Sequence, residues 1–292
     1  MQRKISIIIV TYNSQEFLAD CFSSIASFLD IEAKEVEVII VDNSTGKDAA
    51  ELRLLVENHS LNKILDVKYI HNTKNLGYGQ GNNVGIKASS GEIVCIMNPD
   101  VRFGSSILLD VIQKFKNPNL ALLSYKQLGG FDYSFYLRPE YKNIFTGIIM
   151  KMANKIDYFS SKYFYLSGAF FFIDKKKFEE AGAFDEKIFL YFEEPDIAKR
   201  ITDKKYEIQY DNSKKYYHLV GDRVQYSEKS FESEMKSLKY YLQKFNFNEK
   251  KIISNYLGEY KVKMVAAKVL KDDIRLDKFK KEVALIKSIF NI

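Results

Sequence analysis

Lys4-Ile5-Ser6-Ile7-Ile8-Ile9-Val10-Thr11-Tyr12-Asn13 is the stretch that decides the fold. Its β-branched run has the character of a strand buried on both faces, as strands of covered parallel sheets are. Asn13 or Ser14 then offers a helix N-cap, and Phe17, Leu18, Cys21, Phe22 and Ile25 follow at helical spacing. The pattern recurs with strands at 36–41, 67–71 and 93–97 and helices at 48–58 and 82–88. Repeated strand and helix units predict an α/β fold with a mostly parallel sheet flanked by helices.

Outward from that half, residues 104–174 are less regular and rich in aromatics, with a helix near 106–115 and a strand-like run at 163–173. Asp174 is placed to cap a helix that stops at Gly182. A helix from about 195 to 202 and two short strands at 207–210 and 215–219 follow. From Ser230 the sequence is helical, with one apolar stripe of Phe231, Met235, Leu238, Tyr241 and Leu242 and another of Leu276, Phe279, Val283, Ile286 and Phe290.

Composition narrows the function classes. With 292 residues, 46% hydrophobic and 28% charged, the chain can bury a large core, which excludes wholesale disorder and a disulfide miniprotein. The net charge of +6 resides in residues 228–292, where 15 Lys and Arg face 9 Asp and Glu, so the body is neutral and no nucleic-acid partner is expected. Two separated cysteines, Cys21 and Cys95, fit a reducing compartment and are expected buried and inert. The apolar run 5–10 is too short for a signal peptide, and no stretch approaches the ~20 residues of a membrane span. The expected location is the cytoplasm.

In open parallel sheets ligands bind beyond the carboxyl ends of the strands. The residues there are Thr11-Tyr12-Asn13, Asp42-Asn43-Ser44, the loop 72–81 and Asn98-Pro99-Asp100. Asp42 could accept from a base N–H or ribose hydroxyls, or could serve only as a turn aspartate. The glycines of Asn75-Leu76-Gly77-Tyr78-Gly79-Gln80-Gly81-Asn82-Asn83 lack G-x-G-x-x-G spacing and follow the third strand, so a nicotinamide-dinucleotide site is excluded. They would let amides approach a diphosphate or open a helix, or simply form a flexible loop. Asp100 could hold a hard divalent cation, with His218 completing the site. In Tyr191-Phe192-Glu193-Glu194-Pro195-Asp196, acids beside aromatic rings could serve as a general base, or merely occupy a helix's first turn.

In order and spacing these motifs, together with Gly168-Ala169-Phe170, Phe184-Asp185-Glu186 and His218 with Gly221, resemble the inverting family 2 nucleotide-sugar glycosyltransferases, particularly their rhamnosyltransferase-like branch, over residues 4–221. The resemblance implies a GT-A fold over 1–225, with a nucleotide-binding half (1–103), an acceptor half (104–225) and a basic helical extension (226–292). It implies nucleotide-sugar contacts from Thr11, Tyr12, Asn13, Asp42, Asn43, Asn75, Gly77, Asn82 and Asn98. Asp100 matches the last acid of the family's D-x-D metal motif, so Asp100 and His218 are the expected ligands of Mg²⁺ or Mn²⁺; Asn98 stands where the first aspartate is usual. Glu194 matches the usual base, although it is a glutamate followed by Pro195, and Glu193 and Asp196 match flanking acids.

The implied donor is a UDP- or dTDP-linked sugar and the implied acceptor a glycan or lipid-linked glycan precursor. A degenerate, non-catalytic sugar-nucleotide or glycan-binding module is the alternative that Asn98 and Glu194-Pro195 leave open. A nucleotidyltransferase is disfavoured because no basic glycine-rich loop follows the first strand. The lysine-flanked helices of the extension could lie on an anionic membrane at the inner face of the cell; otherwise their stripes pack on the body or on a second copy, as a homodimer.

Overall fold

The computed structural model describes residues 4–130, 132–219 and 227–292. Strand β1 (Ile5–Thr11) leads through Ser14 into α1 (Gln15–Ser27), β2 (Val36–Asp42) into α2 (Gly46–Asn58), and β3 (Asp66–His71) into α3 (Gly77–Ala88), after which β4 (Ile93–Met97) closes the first half. These strands pair in parallel, with β1 between β2 and β4: Thr11 lies opposite Asp42, and Ile8 opposite Ile96. Their polar carboxyl-end residues therefore emerge along one sheet edge.

The second half extends the same sheet. After β5 (Val101–Phe103), α4 (Leu108–Lys114) and β6 (Leu120–Leu128), a hairpin of β7 (Phe135–Leu137) and β8 (Phe164–Leu166) stands apart with α5 (Thr146–Lys155) inside its connection. Strand β9 (Phe170–Asp174), helices α6 (Lys175–Glu180) and α7 (Glu193–Asp203) and β10 (Glu207–His218) follow. The eight-stranded order is β3-β2-β1-β4-β9-β6-β10-β5, with β9 antiparallel to both neighbours and β5 antiparallel to β10.

Three expectations change in detail. The run 163–173 is two strands in different sheets, because it breaks at Ser167-Gly168-Ala169. The two strands expected between 207 and 219 are one, β10, with a register shift between Asp211 and Lys215. Helix α3 begins at Gly77 rather than Asn82 because its glycines are packing positions: a methyl on Gly81 would lie 2.8 Å from Val10 Cγ1, and one on Gly85 2.4 Å from Ile8 Cγ2. Bare backbone is what lets α3 lie on β1.

Helices α8 (Glu228–Lys244), α9 (Glu249–Val269) and α10 (Asp273–Phe290) form the extension. Both expected stripes turn inward: Phe231, Met235, Leu238, Tyr241, Leu242, Ile286 and Phe290 bury into one cluster that also takes Phe192 from the body. No helix among the described residues is long and apolar enough to cross a membrane. The boundary placed at 225/226, and Gly221, lie outside the described residues.

Candidate functional site

A cavity of about 840 Å³ opens at the carboxyl ends of β1, β2 and β4, a volume in the range of small-molecule sites. Thr11, Tyr12, Asn13, Asn43, Asn75, Gly77 and Asn98, all named above as expected nucleotide-sugar contacts, line it together with Tyr78, Phe189 and Tyr191. Its walls are rigidly built. Asn43 Nδ2 donates to Gly77 O at 3.1 Å and Asn43 Oδ1 accepts from Asn72 Nδ2 at 2.8 Å, while Asn75 Oδ1 accepts the Gly77 N–H at 2.8 Å. Gly77 has φ +80° and a methyl there would meet Phe189 O at 2.1 Å, so only glycine fits between α3 and the opposite wall.

Two expected nucleotide contacts sit behind the wall instead. Asp42 is fully buried and accepts from Thr11 Oγ1 (3.1 Å), the Ser44 N–H (2.9 Å) and Tyr69 OH (2.6 Å), so its carboxylate shapes the Thr11 and Ser44 turns beneath the cavity. Asn82 lies inside α3, 1% exposed, with Nδ2 donating to Tyr78 O. Residues at strand ends point alternately in and out, and sequence alone does not tell which polar side chain the next helix covers.

Across the cavity stands the acidic turn. Tyr191 and Phe192 have φ +68° and +73°, an unusual consecutive left-handed pair for bulky residues, costing about 1–3 kcal/mol each. Packing over-determines this turn: Phe192 is buried against Tyr241 of α8, with ring centroids 5.9 Å apart, and Ser237 Oγ donates to Leu190 O at 2.8 Å. The turn delivers Glu193, Glu194 and Asp196 into the first turn of α7.

The three acids have different environments. Asp196 is fully buried between Arg200 Nε (2.9 Å) and Lys244 Nζ (2.5 Å), so it braces the turn rather than facing a ligand. Glu193 is 2% exposed, and burial together with the adjacent Glu194 charge pushes its carboxyl well above the ordinary range. Burial raises Glu194 as well. Of the two, Glu193 is pushed up further, because the Glu194 charge adds to its burial. Glu194 lies directly on the bare backbone of Gly168, where a methyl group would fall 1.8 Å from Oε1. Its charge also helps, after burial, to hold the hydroxyls of Tyr78, Tyr136 and Tyr165 protonated. Those tyrosines carry no catalytic motif in the sequence; Tyr78 is set apart only by lying in the glycine-rich stretch 75–83.

Asp100 and His218 come together on paired strands, Nε2 to Oδ2 3.2 Å, with Asp100 fully buried and His218 beside Val101 in register. A carboxylate with an imidazole is a fitting donor set for Mg²⁺ or Mn²⁺. No group of three or more His, Cys, Asp or Glu gathers among the described residues, so further ligands would come from the diphosphate or water.

These parts converge through short links. The Asn98 N–H donates to Ala169 O at 2.8 Å, tying the Asp100 loop to the segment under Glu194. Tyr78 OH donates to Gly168 O at 2.5 Å, tying that segment to the cavity. A bound molecule in the cavity would thus have Asn98 on one side and the Glu194 support within one residue of its wall.

The sequence model of "Glycosyl transferase family 2" matches residues 6–182. The low-salt glycan biosynthesis hexosyltransferase Agl10 of Haloferax volcanii is 27% identical over 205 residues, 67% of this chain and 61% of that protein. The dolichol-phosphate mannosyltransferase of Pyrococcus furiosus is 30% identical over 39% of this chain and 30% of its own. This chain thus spans less than two thirds of the length of these curated relatives. Among solved structures, the mannosyltransferase PcManGT from Pyrobaculum calidifontis, in complex with GDP-Man and Mn²⁺, superposes with TM-score 0.63 at 15% identity, over 99% of this chain and 86% of that one. S. aureus TarS 1-349 in complex with UDP-GlcNAc gives 0.60 at 17% identity, over 98% and 80%. At such identities the likeness establishes the fold, GT-A with a helical C-terminal region.

Proposed function

Because this chain belongs to the family 2 glycosyltransferases, we propose that it moves a sugar from a nucleoside-diphosphate sugar to a hydroxyl of a glycan or lipid-linked glycan precursor, with inversion. The observation that carries the reading is Glu194, a carboxylate set on the bare Gly168 backbone, whose carbonyl accepts from the cavity-lining Tyr78, beside a Glu193 whose carboxyl is pushed up further by burial and the Glu194 charge. In this reading Glu194 takes the proton of the acceptor hydroxyl. The acceptor oxygen bonds to the anomeric carbon as that carbon's bond to the diphosphate breaks on the opposite face, and the electron pair leaves with the nucleoside diphosphate.

In this reading the donor lies in the cavity, with the ring of Tyr12, 53% exposed, available to the base, Thr11 and Asn43 to the ribose, and Asn98 to the diphosphate. Asp100 and His218 would hold a divalent cation, which supplies neutralisation of the leaving diphosphate's charge. Proteins of this fold in complex with GDP-Man and Mn²⁺ and with UDP-GlcNAc support that reading by analogy of fold. A UDP- or dTDP-linked donor remains our reading, as does the division into a nucleotide half (1–103), an acceptor half (104–225) and an extension (226–292).

The test is release of nucleoside diphosphate from a panel of donors and acceptors with Mn²⁺. Glu194→Gln should lower turnover by about 10²–10⁴ while donor binding, read by thermal shift, persists. Donor binding by the unaltered chain with no release under any metal would favour the non-catalytic binding module instead.

A further inference from the structure

Helix α5 is oriented against the usual rule. Its buried residues are the small and polar Ala153 and Asn154, and Asn154 ties it to the hairpin by accepting the Ser134 N–H at 2.8 Å and donating to Phe135 O at 3.0 Å. The opposite stripe of Phe145, Ile148, Ile149, Met152 and Ile156, at helical spacing, stands in solvent; Ile148, Met152 and Ile156 are 60%, 62% and 71% exposed. Amphipathic helices normally bury such a stripe.

The stripe continues onto α9. Asn255 Nδ2 donates to Lys142 O at 2.9 Å, and a methyl on Gly258 would meet Ile144 Cγ2 at 3.3 Å, so the lead-in to α5 lies on α9. From Gly258 the same face of α9 runs through Val262, Val265 and Val269, 58%, 61% and 76% exposed. Contiguous apolar surface of this kind marks an interaction site. Its charge identifies the partner: Lys151, Lys155, Lys261 and Lys268 are exposed along it. Residues 142–162 hold four lysines against one acid, Asp157, which Lys126 pairs at 2.8 Å; Lys142 pairs Glu259 of α9 at 3.4 Å, so Lys151, Lys155 and Lys162 carry the segment's positive charge.

We propose that this α5–α9 face docks the protein on an anionic lipid bilayer, with the aliphatic stripe entering the interface and the lysines meeting headgroup phosphates. A second copy of the chain would bring the same lysines to the contact and repel it. The membrane face is thus not the stripes of α8 and α10, which are buried, but one that joins α9 of the extension to α5, a helix outside it. The proposal is independent of the sugar-transfer chemistry, and its test reads no activity.

The full chain is floated with vesicles of phosphatidylcholine alone or mixed with phosphatidylglycerol. Binding to the mixed vesicles, lost on adding high salt, is expected. The double variant Ile148→Asp/Met152→Asp, and separately Val265→Asp, should lower the bound fraction about tenfold, whereas Leu54→Asp on α2, equally exposed, should not. Circular dichroism confirms that each variant is folded. Absence of flotation, equal binding to neutral vesicles, or binding untouched by both stripe variants overturns the proposal. So does a dimer in light scattering that the double variant dissociates while lipid binding is absent.

Discussion

Replacing Lys244 by Met removes one cation from between two carboxylates, and the structure sets the size of the consequence. Lys244 Nζ lies 2.6 Å from Asp185 Oδ2 and 2.5 Å from Asp196 Oδ1. Stripping a partner from a wholly buried pair costs about 3–5 kcal/mol. Lys244 is 23% exposed and Arg200 stays on Asp196, which brings the expectation to about 2 kcal/mol. At roughly 2 cal/mol/K of unfolding entropy per residue, that is a fall in Tm of about 3 °C for a chain of this length. Burial alone would raise the Asp185 carboxyl, but hydrogen bonds from Lys244, the Lys187 N–H and Tyr240 hold it down at about 2. A depressed carboxyl stabilises above its unfolded pKa of about 4 and loses that contribution as pH falls toward 2. The Lys244→Met chain should therefore show a shallower loss of stability across that window. Because Asp196 sits two residues beyond Glu194, turnover should fall more than donor affinity. Thermal melts of Lys244→Met, Asp185→Asn and the double variant test the clamp; a coupling energy below about 0.5 kcal/mol would refute it.

Gly168→Ala should abolish transfer while the chain still binds donor, since the added methyl occupies the position of Glu194 Oε1; full activity in that variant would remove Glu194 from its assigned seat. Glu193→Gln and the unaltered chain should melt alike at low pH, where both side chains are neutral, with the variant gaining as pH rises through the raised Glu193 pKa; an unchanged difference at every pH contradicts a protonated Glu193. Burial pushes the Cys21 thiol to about 12 and Cys95 up as well, so a thiol reagent at pH 8 should label neither cysteine in the folded chain and both after unfolding.

What the sequence disclosed was local. The run from Ile5 to Asn13, the strands ending at Asp42 and Met97, and Asp174 as a cap with its side chain accepting from Lys177 N–H all declare themselves by composition and spacing. The cavity lining followed, because polar residues after parallel strands share an edge. What stayed hidden depends on partners far along the chain. Asp196 reads as one of three equivalent acids until Lys244, 48 residues later, closes on it. Asp42 reads as a ligand until Tyr69 covers it. The glycines of α3 read as a loop until β1 is laid beneath them, and nothing in residues 144–156 says that their apolar side faces outward.

The left-handed pair at Tyr191 and Phe192 has one more implication. Its shape is imposed by α8, and the family match ends at residue 182, before this turn begins. In the proposed reading, the sheet end that would take the donor lies inside the matched stretch, whereas the carboxylate proposed as proton acceptor takes its posture from residues beyond it. Anyone grafting tails between such enzymes should move residues 189–200 and 228–247 together, as a single cassette, or inherit a sound pocket with a misdirected carboxylate.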